Sequence, residues 1–244
     1  MKASRVEQAA RNNAGWCDTF CRLHGAPGEF LDEAWVTRHR APAYYPNLVT
    51  LRQAHDQAAV LENVRALIGP TLPGRWAVKD SFKNLNLSEL GFDKLFEASW
   101  IWHEASPQTT GAPTSDIRWA PVVSLEELQR WEAAWSKANG IDDPSRKFFP
   151  SLLADPSVAI LAGYRGQQLI AGGIANSSDA VVGLSNVFAP PSLEALVWAG
   201  LLTSTQTVFP GKHVVGYEHG AGLEAARTCG FEEIGGLNVW LRRA

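Results

Sequence analysis

The chain has 244 residues, of which 45% are hydrophobic and 19% are charged, so it can bury one large core or two smaller ones. Its formal net charge of -3 argues against binding along a nucleic-acid backbone. The polar N-terminus does not resemble a signal peptide, and no apolar stretch reaches bilayer length. We therefore expect a cytoplasmic protein that makes no membrane contact.

Residues 1–105 have the pattern of a small α/β unit. Helical spacing and helix-stop signals predict helices over 5–24, 31–40, 53–68 and 85–90. Apolar, β-branched and aromatic runs predict strands over 48–51, 76–78 and 95–102. Residues 106–115 combine Pro, Gly, Ser and Thr without apolar periodicity, so they are predicted to be a linker.

Residues 116–244 have a fuller set of elements. Predicted strands cover 117–123, 158–164, 168–175, 180–188, 213–217 and 237–242. Predicted helices cover 124–138, 146–153, 192–208 and 221–228. Tight turns join the second, third and fourth strands, which indicates an antiparallel meander. The fold class is therefore α/β (α+β), with a mixed sheet flanked by helices.

The two halves match each other in order. The paired segments are Pro46–Leu51 with Pro156–Leu161, Gly74–Val78 with Gly211–Val215, and Gly91-Phe92 with Gly230-Phe231. Between the first and last of these matches the first half is about 29 residues shorter, close to the length of the hairpin at 163–188 with its exit loop. We interpret the chain as an ancient duplication whose first half has lost these strands.

The second half resembles the GNAT superfamily of acyl-CoA-dependent N-acyltransferases in its order of elements. The segment Asn186–Ala189, which enters the long helix, and the pattern Leu223–Phe231, which runs into Gly-Phe, are similar to that family. The whole chain is similar to tandem GNAT-like proteins. In this interpretation 1–105 is a degenerate half, 106–115 the linker and 116–244 the acyltransferase domain.

The resemblance implies an N-acyltransferase, such as an acetyltransferase, that moves an acyl group from acetyl-CoA or another acyl-CoA to an amine. The acceptor would be a small molecule or a peptide, and no metal would be needed. In this family two neighbouring parallel strands splay apart, and their backbone groups pair with the pantetheine arm of the co-substrate. The residues expected to bind it here are Asn186, Val187, Phe188, Ala189 and Ser192.

The run Tyr217, Glu218 and His219 follows a predicted strand, where ligands of open α/β sheets bind. The carboxylate or the imidazole could deprotonate an ammonium group, and the tyrosine could act as an acid. In the alternative, Glu218 and His219 cap the next helix and Tyr217 packs in the sheet. Lys79 and Asp80 occupy the matching strand end of the first half, as a substrate clamp or, in the favoured interpretation, as a solvated ion pair.

Two departures from the GNAT pattern count against ordinary catalysis. Pro190 and Pro191 remove two N–H donors from the loop that should bind pyrophosphate, and Glu194 adds a negative charge there. Ala226 stands where the family often has a tyrosine acid. The alternative function is therefore a non-catalytic GNAT-like ligand-binding or sensor protein.

Other motifs lack their necessary context. Gly220–Ala225 matches a dinucleotide fingerprint, but too few residues follow it to build the rest of a nucleotide-binding domain. Cys17, Cys21 and His24 could share one helix face, yet no fourth zinc ligand is near, so reduced, partly buried thiols are expected. The sequence does not indicate an oligomeric state.

Overall fold

The structure is a computed structural model that describes residues 3–53, 62, 64–66, 75–105, 116–143, 145 and 147–242. The predicted linker at 106–115 and most of the predicted helix 53–68 lie outside these residues. Two compact units are present: Met1–Trp100 with Ile234–Ala244, and Ile101–Glu233. No helix within the described ranges is long and apolar enough to cross a membrane.

Four helices and eleven strands of the described residues have defined bounds, and residues 62 and 64–66 are also helical. The helices are α1 Arg5–Leu23, α2 Leu125–Ala138, α3 Glu194–Val208 and α4 Gly220–Thr228. The first strands are β1 Glu29–Phe30, β2 Ala34–Val36, β3 Leu48–Thr50, β4 Trp76–Asp80, β5 Asp93–His103 and β6 Arg118–Pro121. The others are β7 Val158–Arg165, β8 Gln168–Ser178, β9 Val181–Phe188, β10 His213–Glu218 and β11 Glu232–Arg242.

Helix α1 begins at a capping box. Ser4 Oγ accepts a hydrogen bond from Glu7 N at 3.2 Å, and Glu7 Oε2 accepts one from Ser4 N at 2.7 Å, so two orphan donors of the first turn are satisfied. The helix ends before Gly25, whose φ of 73° is accessible to glycine without strain. Its inner face, with Cys17 and Cys21, packs in an apolar cluster of the first unit.

The first unit has the strand order β1-β2-β3-β4-β11-β5. Strand β3 pairs parallel with β4, whereas β1 with β2 and β2 with β3 are antiparallel. The predicted helix over 31–40 is wrong, because Ala34–Val36 forms the fully buried strand β2. The predicted helix over 85–90 shortens to a single 3₁₀ turn at Ser88–Leu90.

The last strand of the chain belongs to the first unit. Strand β11 pairs antiparallel with β4, with Asn238 opposite Asp80 and Trp240 opposite Val78. Residues 234–244 group with that unit, at the end of the predicted segment 116–244. The face of β11 that carries Trp240 packs in a cluster of buried apolar side chains.

The second unit contains the predicted meander. Strands β7, β8 and β9 are antiparallel neighbours, and β10 lies beside β9 in the parallel direction, so the sheet is mixed. Helices α3 and α4 cover one face with an apolar cluster. Trp131 of α2 contacts Phe188 of β9 edge-on and donates from Nε1 to Leu161 O at 2.9 Å. The helix predicted over 146–153 is replaced by a 3₁₀ turn at Pro150–Ala154.

Candidate functional site

Strands β9 and β10 separate part-way along their length. Their ladder runs from His213 opposite Val181 to Val215 opposite Gly183, and both strands continue beyond it in the described structure. The continuation covers residues 184–188 of β9 and residues 216–218 of β10. Backbone groups on the inner edges of two diverging strands become available to a ligand because they no longer pair with each other.

A β-bulge in β9 accounts for this separation. The register with β8 shifts between Gly172 and Ile174, so that Asn186 and Val187 together lie opposite Gly173. A bulge bends its strand and increases the local twist, which turns β9 away from a straight path beside β10. Asn186 has a φ of 52°, a left-handed conformation that asparagine tolerates better than most residues.

The predicted co-substrate residues take different positions around this opening. Asn186 and Val187 are half-buried in β9, and Ala189 is half-buried just after it. The Phe188 side chain is 6% exposed and packs against Trp131, so its backbone is the part that remains for binding. Ser192 is exposed in the loop before α3.

The loop between β9 and α3 forms a compact turn. Leu193 N donates to Pro190 O at 2.9 Å, and Leu193 O accepts from Val197 N at 2.9 Å, which starts the helix. The first-turn amides of α3 retain the usual tendency of a helix N-terminus to attract anions, while Glu194 places a carboxylate in that same turn. Pro191 is exposed. The turn therefore offers fewer donors than a glycine-rich phosphate loop, with an opposing charge.

Glu218 ends β10 on the side of the opening. Burial raises the pKa of its carboxyl group to about 7, and a hydrogen bond from the His219 backbone partly opposes this effect. The carboxylate lies over the first turn of α4, where a Cβ added at Gly222 would be 2.7 Å from Glu218 Oε2. A carboxyl group that titrates near neutrality at a strand end is suited to accept a proton from an amine.

The structure does not bring the three predicted catalytic residues together. Side chains alternate along a strand, so Tyr217 and Glu218 point to opposite faces of β10. His219 is exposed and is the N-cap residue that precedes α4, in extended conformation and without a side-chain capping hydrogen bond. Of the three, Glu218 combines burial, position and a shifted pKa.

Ala226 of α4 is fully buried in the apolar cluster that α3 and α4 form with the sheet. A tyrosine at this position would need space that the packed cluster does not provide. The chain therefore has no side-chain acid at this point of α4.

The ion pair predicted at Lys79 and Asp80 is wrong, because both side chains are buried, 4% and 1% exposed, and strand alternation sends them to opposite faces. Lys79 Nζ donates to Asn13 Oδ1 of α1 at 2.6 Å. Asp80 accepts from the backbone N–H groups of Phe82, Asn84 and Leu85, so it holds the following loop. Their roles in the first unit are structural.

Sequence reasoning missed Ser185, which directly precedes the bulge residue. Its hydroxyl is buried, and no hydrogen-bond partner for Oγ exists among the described residues. A hydroxyl at this point of β9 can donate to a ligand group that enters between β9 and β10. Two adjacent polar residues, Ser185 and Asn186, inside a strand that otherwise has no polar side chain were the available signal in the sequence.

The cysteines do not form a metal centre in the described part of the chain. Cys17 and Cys21 are buried and reduced, and burial raises the pKa of both thiols. Across the residues that the structure describes, no group of three or more His, Cys, Asp or Glu side chains could hold a metal ion.

Known proteins resemble the chain in structure rather than in sequence. No family profile and no curated protein matches it. It is similar to a GCN5-related N-acetyltransferase from Kribbella flavida, with 17% identity, a TM-score of 0.64, and coverage of 97% of this chain and 96% of that chain. A GCN5-related N-acetyltransferase from Sphaerobacter thermophilus has 10% identity, a TM-score of 0.58, and coverage of 97% and 93%.

A third solved structure, described as a putative acetyltransferase from the GNAT family of Novosphingobium aromaticivorans, is 10% identical with a TM-score of 0.55, over 94% of this chain and 96% of that chain. Identities this low establish the fold alone. They confirm the expected mixed sheet flanked by helices: the chain has the fold of the GCN5-related N-acetyltransferases, the GNAT superfamily.

Proposed function

We propose that the protein is an N-acyltransferase that moves an acyl group, such as acetyl, from an acyl-CoA to an amine, with Glu218 as the general base. The observation that carries this proposal is the raised pKa of Glu218, about 7, at the end of β10 where β9 and β10 diverge. The amine would belong to a small molecule or a peptide in the cytoplasm. The first unit is, in this proposal, a degenerate copy of the second.

The opening between the strands fits the pantetheine arm of an acyl-CoA. That arm carries two amide groups in an extended chain, which can pair with strand-edge N–H and C=O groups as another strand would. The bulge at Asn186 exposes such groups on β9, and Ser185 adds a hydroxyl next to them. The turn at Pro190 offers less to the pyrophosphate, so we expect affinity for the co-substrate to come mainly from the strand edges.

The reaction would use Glu218 to remove a proton from the acceptor ammonium, so that the neutral amine attacks the thioester carbonyl. The new C–N bond forms, the C–S bond breaks, the attacking nitrogen gives up its second proton to water, and the sulfur leaves as a thiolate that takes up a proton from water. Because alkyl thiols have a pKa of about 8.5, a thiolate is a good leaving group and departs without a dedicated acid. The absence of a tyrosine at Ala226 is therefore tolerable.

Acyl-CoA binding is the direct test. Acetyl-CoA and desulfo-CoA are titrated calorimetrically into wild-type protein and into a Ser185→Ala variant, with Ser204→Ala on α3 as a matched serine control. We expect saturable heat in the wild type and Ser204→Ala, and weaker binding in Ser185→Ala. No heat at near-millimolar ligand would contradict the proposal.

A second candidate function is a GNAT-like sensor that binds a ligand without acyl transfer. The specific observation in its favour is that the loop contains Pro190 and Pro191, which lack N–H donors, and that Glu194 follows with a carboxylate. Both features weaken an anion site. The two candidates differ in turnover. Acetyl-CoA consumption with a panel of amines, measured as thiol release, supports the enzyme, whereas binding with no thiol release in wild type or variants supports the sensor.

A further inference from the structure

The first unit contains an open groove of about 600 Å³ between the 3₁₀ turn Ser88–Leu90, the start of β5 and strand β11. Its walls include Phe92 and Lys94 from the start of β5, and Asn238 and Trp240 from β11. All of these residues belong to the first unit, and none takes part in the proposed acyl transfer.

The amide of Asn238 has a fixed orientation. Asp80 accepts from the backbone N–H groups of Phe82, Asn84 and Leu85, so its carboxyl oxygens act as acceptors. Asn238 forms a further side-chain hydrogen bond with Asp80, and only its Nδ2 group can donate to an acceptor. Asn238 Oδ1 therefore points away from Asp80. It is buried and lacks a hydrogen-bond partner in the described structure.

Trp240 presents the complementary group. The residue is 5% exposed, and its indole Nε1–H finds no acceptor among the described residues. Asn238 and Trp240 are two positions apart on β11, so both side chains lie on the same face, with Cα atoms roughly 7 Å apart. One unpaired acceptor and one unpaired donor thus belong to neighbouring residues on the face of β11 that lines the groove, and both atoms are buried.

Two such groups are costly to leave unpaired. A buried polar group without a partner costs about 1–3 kcal/mol, and native proteins keep few of them. An amide group of a ligand carries one acceptor C=O and one donor N–H, which is the chemical complement of an unpaired indole N–H and an unpaired amide oxygen. The pair on β11 therefore matches an amide.

The rest of the groove favours an uncharged ligand with a ring. The ammonium group of Lys94 is engaged by Glu97 and lies 5.8 Å from the centroid of the Trp240 ring. Arg242 lies 5.8 Å from the centroid of the Phe92 ring. The charges of Lys94 and Arg242 are thus held by a carboxylate and by ring faces, while the exposed carboxylate of Asp93 in the lining disfavours an anion. The rings of Phe92 and Trp240 can contact a planar ligand.

We propose that this groove binds an uncharged aromatic amide, whose C=O accepts from Trp240 Nε1 and whose N–H donates to Asn238 Oδ1. Because the two polar atoms are buried, binding requires a side chain of the groove wall to shift, and Lys94, whose ammonium lies over the Trp240 ring and whose side chain is 40% exposed, is flexible enough to do so. The same chemistry occurs in a free carboxamide and in a peptide group beside an aromatic side chain.

The test is a titration of ¹⁵N-labelled full-length protein, followed at the indole N–H resonances of the tryptophans. The probes are benzamide for a free carboxamide, N-acetyl-phenylalanine amide for a peptide group, and acetophenone and benzoate as controls. Trp240→Phe assigns the Trp240 signal and removes the donor while it keeps a ring. Trp119→Phe is the matched control at another tryptophan.

We expect at least one amide probe to shift the Trp240 indole signal saturably, with a nuclear Overhauser contact between that proton and the probe. The amide probe that binds more tightly shows whether the groove prefers a free carboxamide or a peptide group. Acetophenone, which lacks the N–H, should bind about tenfold more weakly, and benzoate weaker still. Trp240→Phe should lose most of the affinity and Trp119→Phe none.

Three results would each overturn the proposal: no saturable shift with either amide at tens of millimolar, equal affinity for acetophenone or benzoate, or unchanged affinity in a folded Trp240→Phe variant. If Trp240→Phe does not fold, the Overhauser contact in the wild type decides. The readout does not involve acyl-CoA, so its failure is independent of the proposed function.

Discussion

Glu218→Gln should make the folded protein more stable at alkaline pH while it weakens acyl transfer. The substitution keeps the shape of the side chain and an oxygen that can accept from the His219 N–H group, but it removes the ionisable carboxyl. A residue whose removal stabilises the fold and harms the reaction is retained for chemistry, which is the trade-off expected at an active site.

The magnitude follows from the pKa. Burial raises the pKa of Glu218 from 4.5 to about 7, which corresponds to at most about 3 kcal/mol of stability. Between these values the folded state binds the proton more tightly than the unfolded state, so the free energy of unfolding falls as pH rises. The carboxyl thus destabilises the fold above about pH 7 and not below pH 4.5.

The assay compares urea or thermal unfolding of wild type and Glu218→Gln at pH 5 and pH 8.5, with Glu224→Gln as control. Glu224 lies on α4, over whose first turn the Glu218 carboxylate packs, but its side chain is 71% exposed. We expect Glu218→Gln to gain stability over wild type at pH 8.5 by up to about 3 kcal/mol and much less at pH 5. Glu224→Gln should show no such pH-dependent gain.

The kinetic part uses thiol release from acetyl-CoA with an accepted amine. In wild type, kcat/KM should rise through about pH 7 as Glu218 ionises, and this inflection should disappear in Glu218→Gln with a loss of roughly 10²-fold. The reasoning is refuted if Glu218→Gln is destabilised equally at both pH values, or if its pH profile keeps the wild-type inflection.

Three further substitutions test the surrounding structure. Asn186→Val places a β-branched residue at a φ of 52° and should cost about 1–3 kcal/mol in thermal unfolding, whereas Asn186→Gly should cost little; equal losses would contradict the bulge argument. Pro191→Gly restores one N–H donor and should tighten CoA binding about fivefold by calorimetry, and unchanged affinity would exclude that loop as a phosphate site. Asp80→Asn should lose about 2 kcal/mol in urea unfolding, because an amide cannot accept all three loop N–H groups and Asn238 as well; a neutral result would refute its role.

Local sequence signals were sufficient where an element is long and has clear ends. Helical spacing up to Gly25, the capping box at Ser124 and the tight turn at Gly166 placed α1, α2 and the β7–β8 hairpin correctly. The apolar spacing over 31–40 predicted a helix where β2 forms. The strand is only three residues long, too short to give a pattern of its own that competes with that spacing. Trp35 is buried there by contacts with α1, including a hydrogen bond from its Nε1 to Asp18, 17 residues earlier.

Charged residues were harder to place because their environment comes from distant parts of the chain. Lys79 is buried against Asn13, 66 residues away, and no local sequence pattern predicts that contact. Glu218 lies at the end of a strand, as predicted, but its burial depends on how closely α4 follows. Gly222, which leaves room for the carboxylate, was the local clue. The bulge at Asn186 depends on the register with β8 and could not be predicted from the sequence of β9 alone.

The pKa of Glu218 also constrains the acceptor. An alkyl ammonium group has a pKa near 10.4, roughly that of lysine, so a base of pKa about 7 would take its proton uphill by about 4–5 kcal/mol. Burial beside the diverging strands lowers the pKa of an ammonium group for the same reason that it raises that of Glu218, because both charged forms lose solvation. An amine that reacts here is therefore either desolvated on binding or intrinsically weak as a base, such as an arylamine. Among amines tested at pH 7, those of lower pKa should give the higher kcat/KM, and the reverse order would place the base elsewhere.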